Sequence, residues 1–154
     1  MPDSAPPDPT YEAGSAFVRA AGLVVDTVTA TKVAGHLDVG ADHHTPWGVV
    51  HGGVYTAAIE SAASVGASAA VGDRGQFAVG VSNVTNFLRP VTAGRLTVTA
   101  SPVQQGRTLQ LWSVRVVRED GRARRRRPGA SPERAITSRW PGCCRMEPGA
   151  AQVL

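Results

Sequence analysis

The hydrophobic and polar positions change period along the chain. From Val79 onward the period is two. Leu96, Val98 and Ala100 alternate with Thr97, Thr99 and Ser101, and Trp112, Val114 and Val116 share one face of a run over residues 109–117. Residues 79–87 predict a further strand that stops at Arg89-Pro90, and Ala93-Gly94, Gln105-Gly106 and Glu119-Asp120-Gly121 mark turns. This spacing predicts an antiparallel meander joined by short hairpins. Upstream, residues 23–39 are rich in Val and Thr with Gly35 near the middle, which predicts a strand pair or one long bent strand. A short helix is expected from Glu12 to about Ala21, and residues 41–47 form a polar loop.

Between these lies residues 53–71, GVYTAAIESAASVGASAAV, which predicts a helix. It has no Pro, seven alanines and few large side chains. Such a helix can be approached closely from nearly every side. It suits a central helix wrapped by a sheet better than a solvated one, which would carry Lys and Glu. Strands plus one central helix give an α+β class.

Composition changes this picture at the two ends. With 154 residues, 42% hydrophobic and 18% charged, the chain is sized for one globular domain. Residues 1–12 hold four prolines and read as a disordered leader, without the basic and apolar regions of a secretory signal. With no long apolar run, no membrane partner is expected, and the expected compartment is the cytoplasm. The net charge of +4 belongs to the tail: residues 122–154 carry eight Arg and two Glu, leaving a body of net −2. The body, residues 13–122, is expected to be the folded domain. The tail, residues 123–154, has no period of two or 3.6, with recurring Pro and Gly, and is expected to add no regular strand to the sheet. Its run Arg124-Arg125-Arg126-Arg127 would ordinarily suggest nucleic acid, but the acidic body argues against that partner. Cys143 and Cys144 are adjacent, which excludes a disulfide framework and a four-cysteine zinc site.

The chemistry concentrates in His43-His44-Thr45-Pro46-Trp47-Gly48-Val49-Val50-His51-Gly52-Gly53 and the helix that follows. Gly52 and Gly53 at a loop-to-helix junction let backbone approach a ligand. The first turn of a helix offers free N–H groups and the positive end of the dipole, suited to a carbonyl oxygen that becomes negative during attack. Glu60 is the lone acid in the predicted helix. A carboxylate so placed is expected to be poorly solvated, and is either paired structurally or functional. Ser64, four residues on, shares its face and is placed either to hydrogen-bond the carboxylate or merely to pack. Asp42, His43, His44 and His51 lack the HExxH pattern and any Cys partner, so no metal is expected. No GxSxG, GxGxxG or GKS/T string occurs, so neither a serine elbow nor a nucleotide cofactor is expected.

Together, Gly48…His51-Gly52-Gly53 with Glu60, and Asn86-Phe87-Leu88-Arg89-Pro90 followed by Gly94-Arg95-Leu96, resemble the hotdog-fold thioesterases of the PaaI type. Within them the chain is most similar to the branch of the Arthrobacter-type 4-hydroxybenzoyl-CoA thioesterase, over about residues 22–122. The resemblance implies an antiparallel sheet curled around one long helix, in homodimers or homotetramers with each active site between two subunits. It implies an acyl-CoA substrate, no cofactor, Glu60 as nucleophile or general base, and the Gly52 N–H as the donor that polarises the carbonyl. His51 would shape the loop beside Gly53, and the Ser64 hydroxyl would assist an attacking water. Arg89 and Arg107 are the basic groups offered to the CoA phosphates.

Two departures stand out. Where the family usually has Asn or Gln, three residues before Gly48, this chain has Thr45, and His44 is the neighbour that can stand in. The family also ends with one more interior strand, which the tail lacks. Back-translated with permitted codons and read one base later, residues 123–134 give LVAAGQVRLQNV, similar to that strand. A frameshift near Arg122 is therefore expected, with the strand's neighbours left unpaired. Thr45 and the missing strand favour an alternative, a non-catalytic or degenerate hotdog module that binds acyl-CoA.

Overall fold

The computed structural model describes residues 15–118 and 150–153. The expected leader and residues 124–127 lie outside the described residues. Ser15 caps α1 (Ala16–Ala21), its Oγ accepting from Val18 N–H at 3.4 Å. Next come β1 (Leu23–Thr29) and β2 (Lys32–Val39), paired as a hairpin with a bulge between Val25 and Thr27. So residues 23–39 form the strand pair. A 3₁₀ turn, Ala41–His43, opens the polar loop, and α2 (Gly52–Ala69) follows it. Beyond a second 3₁₀ turn, Gly72–Arg74, come β3 (Gly80–Asn83), β4 (Gly94–Gln105), β5 (Gln110–Arg118) and β6 (Ala150–Val153). The six strands form one antiparallel sheet in the order β1-β2-β4-β5-β6-β3.

α2 crosses one face of the sheet and touches every strand. Its inward side is Ala58, Ile59, Ala62, Ala63, Gly66 and Ala67, all buried, as the small-residue composition predicts. The sheet answers with Leu23, Val33, Leu37, Leu96, Val98, Trp112 and Val114. Trp112 is fully buried and sits where a Cβ on Gly66 would lie 2.5 Å from its ring. Only glycine lets the largest core side chain come this close to the helix axis. The indole N–H donates to Gln110 Oε1 at 2.9 Å, and Gln110 Nε2 donates to the Ala67 carbonyl at 3.3 Å. The buried polar side chains of Trp112 and Gln110 are thus paired with each other and with α2. At one end of the β2–β4 ladder, Arg95 grips Asp38 through Nε at 2.8 Å and Nη2 at 2.5 Å, clamping β4 to β2. That guanidinium holds the Asp38 carboxyl below the usual carboxylate range.

Three expectations are corrected. β3 spans only part of residues 79–87 and does not neighbour β4; it lies at the far edge of the sheet, so only β4 and β5 form the predicted hairpin. Residues 84–93 instead run back across the start of α2, where the Val91 carbonyl accepts from Val50 N–H at 2.8 Å. Pro90, with no N–H, could not have continued a ladder there. Second, the tail does add a strand. The backbone of β6 pairs with β5 from Gln110 to Ser113 and with β3 from Gly80 to Asn83. The expected gap is therefore filled, by the Pro-free run after Pro148-Gly149, whose donors are all intact. Third, the short helix begins at Ala16 among the described residues, because Ser15 supplies the cap.

Candidate functional site

The loop before α2 is braced by its own backbone. Thr45 N–H donates to Val49 O at 2.7 Å and Gly48 N–H to Thr45 O at 3.0 Å, closing a tight turn that carries Trp47 outward. Gly48, at φ 76°, takes the left-handed conformation that turn needs. His51 N–H then donates to His43 O at 2.8 Å, which sets the entry into α2. His51 is the N-cap: its Nδ1 accepts from Gly53 N–H at 2.9 Å, and its carbonyl accepts from Val54 N–H at 3.0 Å. With Nδ1 accepting, the proton of the neutral ring sits on Nε2. The amides of Gly53 and Val54 are thus engaged. Gly52 N–H is the first of the helix and has no preceding turn to receive it.

Phe87 covers this first turn. A Cβ on Gly52 would stand 2.8 Å from Phe87 Cζ, and the Phe87 ring packs on Tyr55 with centroids 5.8 Å apart. Burial pushes the Tyr55 phenol above its ordinary range. Phe87 was not legible as a site residue from the sequence; its signal was its place in the Asn86-Phe87-Leu88-Arg89-Pro90 string.

Glu60 stands two turns further along. Its Oε1 accepts from Ser64 Oγ at 3.0 Å, so the structure brings those two residues together. Glu60 is solvent-exposed in the single chain, which corrects the expectation of poor solvation. Glu60 lines a cleft of about 640 Å³ together with His44, His51, Gly53 and Thr56. Phe17, Ala20 and Ala21 of α1 and Val54 and Ala57 of α2 give the cleft an apolar wall, and Asn83 of β3 closes one side. The walls from α1 and β3 were not foreseen, since nothing local ties either segment to the loop.

Other expected residues lie outside this cleft. The Thr45 hydroxyl is buried without a hydrogen-bond partner among the described residues, and it does not line the cleft. His44 does line it, with Nε2 donating to Thr92 O at 2.5 Å. Arg107 is exposed at the tip of the β4–β5 hairpin, and neither it nor Arg89 reaches the cleft. Among the described residues no cluster of three or more His, Cys, Asp or Glu side chains is arranged to hold a metal.

A sheet wrapped round a small-residue helix that carries a carboxylate two turns from its start is the arrangement of one fold family. The chain belongs to the thioesterase superfamily, whose family model matches residues 48–124, and its fold is the hotdog fold. It is 31% identical over 98 residues to the 1,4-dihydroxy-2-naphthoyl-CoA hydrolase of Listeria monocytogenes, covering 64% of this chain and 79% of that one. The crystal structure of AziG from S. sahachiroi is similar at TM-score 0.69 and 34% identity, over 90% of this chain and 94% of that one. The phenylacetic acid degradation protein PaaI from Thermus thermophilus, 24% identical at TM-score 0.64 over 90% and 96%, shares the fold. The chain spans 55% to 60% of the length of the first curated relatives it matches.

Proposed function

We propose that the protein hydrolyses acyl-CoA thioesters, with an aryl or medium-length acyl group, as a member of the PaaI-type branch that includes the Arthrobacter-type 4-hydroxybenzoyl-CoA thioesterase. The observation that carries the reading is the Glu60–Ser64 pair at 3.0 Å in a cleft that His51 and Gly53 of the loop-to-helix junction also line. Glu60 either attacks the thioester carbon or takes a proton from water held by Ser64. The oxyanion forms against Gly52 N–H at the positive end of α2, and the CoA thiol leaves. The apolar wall of Phe17, Ala20, Val54 and Ala57 accepts the acyl group, in keeping with the naphthoyl-CoA named for the Listeria relative.

Each site is completed by a second subunit. Gly52 and Glu60 are eight residues apart, about 12 Å along the helix axis at roughly 1.5 Å per residue. That span favours Glu60 of one chain working with Gly52 of another, in a homodimer or homotetramer. The edge strand β3 supports this: Val81 on it and Phe77, Val79 and Val84 flanking it stand exposed at 51%, 67%, 54% and 62%. Among the described residues no helix is long and apolar enough to cross a membrane, and we place the protein in the cytoplasm. We hold the frameshift near Arg122 as a proposal that the gene sequence across those codons decides.

The test is release of free CoA thiol from benzoyl-CoA and octanoyl-CoA by the purified chain. Turnover of either supports the reading. A second reading, an acyl-CoA-binding module without turnover, draws on Thr45, whose buried hydroxyl replaces the family's amide without reaching the cleft. Saturable binding of benzoyl-CoA with no thiol release would establish it instead.

A further inference from the structure

Thr56, Glu60, Ser64 and Ser68 recur every four residues along α2 and make one polar stripe on a helix otherwise of small and apolar residues. Strand β3 and its lead-in are fastened to that stripe at two points. Ala78 N–H donates to Ser68 Oγ at 2.9 Å, and Asn83 Nδ2 donates to the Thr56 carbonyl at 3.0 Å. Thr85 Oγ1 donates to Asn83 Oδ1 at 2.6 Å, which fixes the orientation of the Asn83 amide. Between the two fastenings lies Gly80. A Cβ there would stand 2.8 Å from Glu60 Oε1, 3.4 Å from its Cγ and 3.5 Å from its Cδ. The same Oε1 receives Ser64 Oγ. The carboxylate is therefore held between a hydroxyl on its own helix and a bare stretch of strand backbone.

We propose that Gly80 is a positioning residue for Glu60: β3, pinned at Ser68 and Thr56, presents a side-chain-free surface that sets where the carboxylate rests. This rests on the reading of Glu60 as the group that acts on the thioester. Gly80 is not among the glycines of positive φ, so its backbone suits an alanine, and the atoms a Cβ would meet belong to a movable side chain. Gly80→Ala should leave the fold in place and displace the carboxylate.

The experiment uses the full chain and benzoyl-CoA, with thiol release as readout. Gly80→Ala is expected to lower kcat about 10- to 10²-fold with KM within about twofold, since a shift of about 1 Å at a reacting group costs that much. Glu60→Asp withdraws the carboxylate by one methylene, so Gly80→Ala with Glu60→Asp should lose less than the product of the two single losses. Wild-type kcat in Gly80→Ala, or strictly multiplicative losses, would overturn the proposal. If Gly80→Ala does not fold, Ser68→Ala and Asn83→Ala release the strand without adding an atom beside Glu60. A fall in kcat at constant KM in either supports the proposal, and unchanged kcat in both overturns it. Glu60→Gln separates the two ideas. If it keeps full activity, the role of Glu60 and the positioning role fall together. If it is inactive while Gly80→Ala is normal, only the positioning role falls.

Discussion

The roles proposed for Glu60 and Gly52 use different atoms, a carboxylate and a backbone N–H, and their tests differ accordingly. Glu60→Gln keeps the shape and the contact with Ser64 but is neither basic nor nucleophilic. It is expected to cut kcat on benzoyl-CoA by about 10²-fold or more, with an unchanged thermal melt. Gly52 needs a paired design, because any side chain there strikes Phe87 at 2.8 Å. In a Phe87→Ala background, Gly52→Ala keeps the amide and should keep the activity of that background. Gly52→Pro removes the amide, and Pro suits the first helical position after an extended His51 at φ −65° and ψ 136°. It should lose a further 10²- to 10³-fold, about 2.7–4 kcal/mol of transition-state stabilisation. Equal steady-state rates for the Ala and Pro variants would remove the donor role. The sequence offers Glu60 and Gly52 as candidates because an isolated acid and a glycine pair are local signals. It does not offer Phe87 and Gly80, since what they do depends on atoms of α2 far away in the chain.

The helix and strand periods were similarly legible where a period was present. α2 is marked by its small residues, and β4 and β5 by alternation that burial bears out at Leu96, Val98, Trp112 and Val114. The tightest constraint on α2 is Gly66 under Trp112, at 2.5 Å from a would-be Cβ. Gly66→Ala normally favours a helix, but here it must push the indole off its hydrogen bond to Gln110. A loss of about 1–3 kcal/mol is expected on urea unfolding, against the gain of roughly 1 kcal/mol that Ala gives in a free helix. Stabilisation by Gly66→Ala would mean that the core has room beside Trp112. β3 was misjudged because apolar residues at 79–88 continue past the point where pairing stops. Val84, Phe87 and Leu88 remain exposed, and hydrophobicity alone does not say which partner a residue meets.

For the assembled molecule, two outcomes are expected. Ending the chain after Gly149 removes β6 and opens the ladder edges of both β5 and β3. A lower melting temperature and loss to aggregates on size exclusion should follow, and an unchanged melt would show that β6 contributes nothing to the sheet. Mixing the Glu60→Gln and Gly52→Pro chains, both in the Phe87→Ala background, tests the shared site. If it lies between two subunits, half of randomly mixed dimers are mixed, and each mixed dimer has one intact site, so about a quarter of the activity of that background should return. No recovery after subunit exchange would mean that one chain holds the whole site. The amino-acid order alone specified the class, the central helix, the loop-to-helix junction and the two groups offered for chemistry, since each is written in neighbouring residues or a fixed period. Folding chose the rest: the strand order that carries β3 past β5 to the sheet edge, the filling of the gap by β6, the α1 wall of the cleft and the rest position of Glu60. Those depend on which distant backbone edges and side chains meet, and pairing of that kind has no period along the chain.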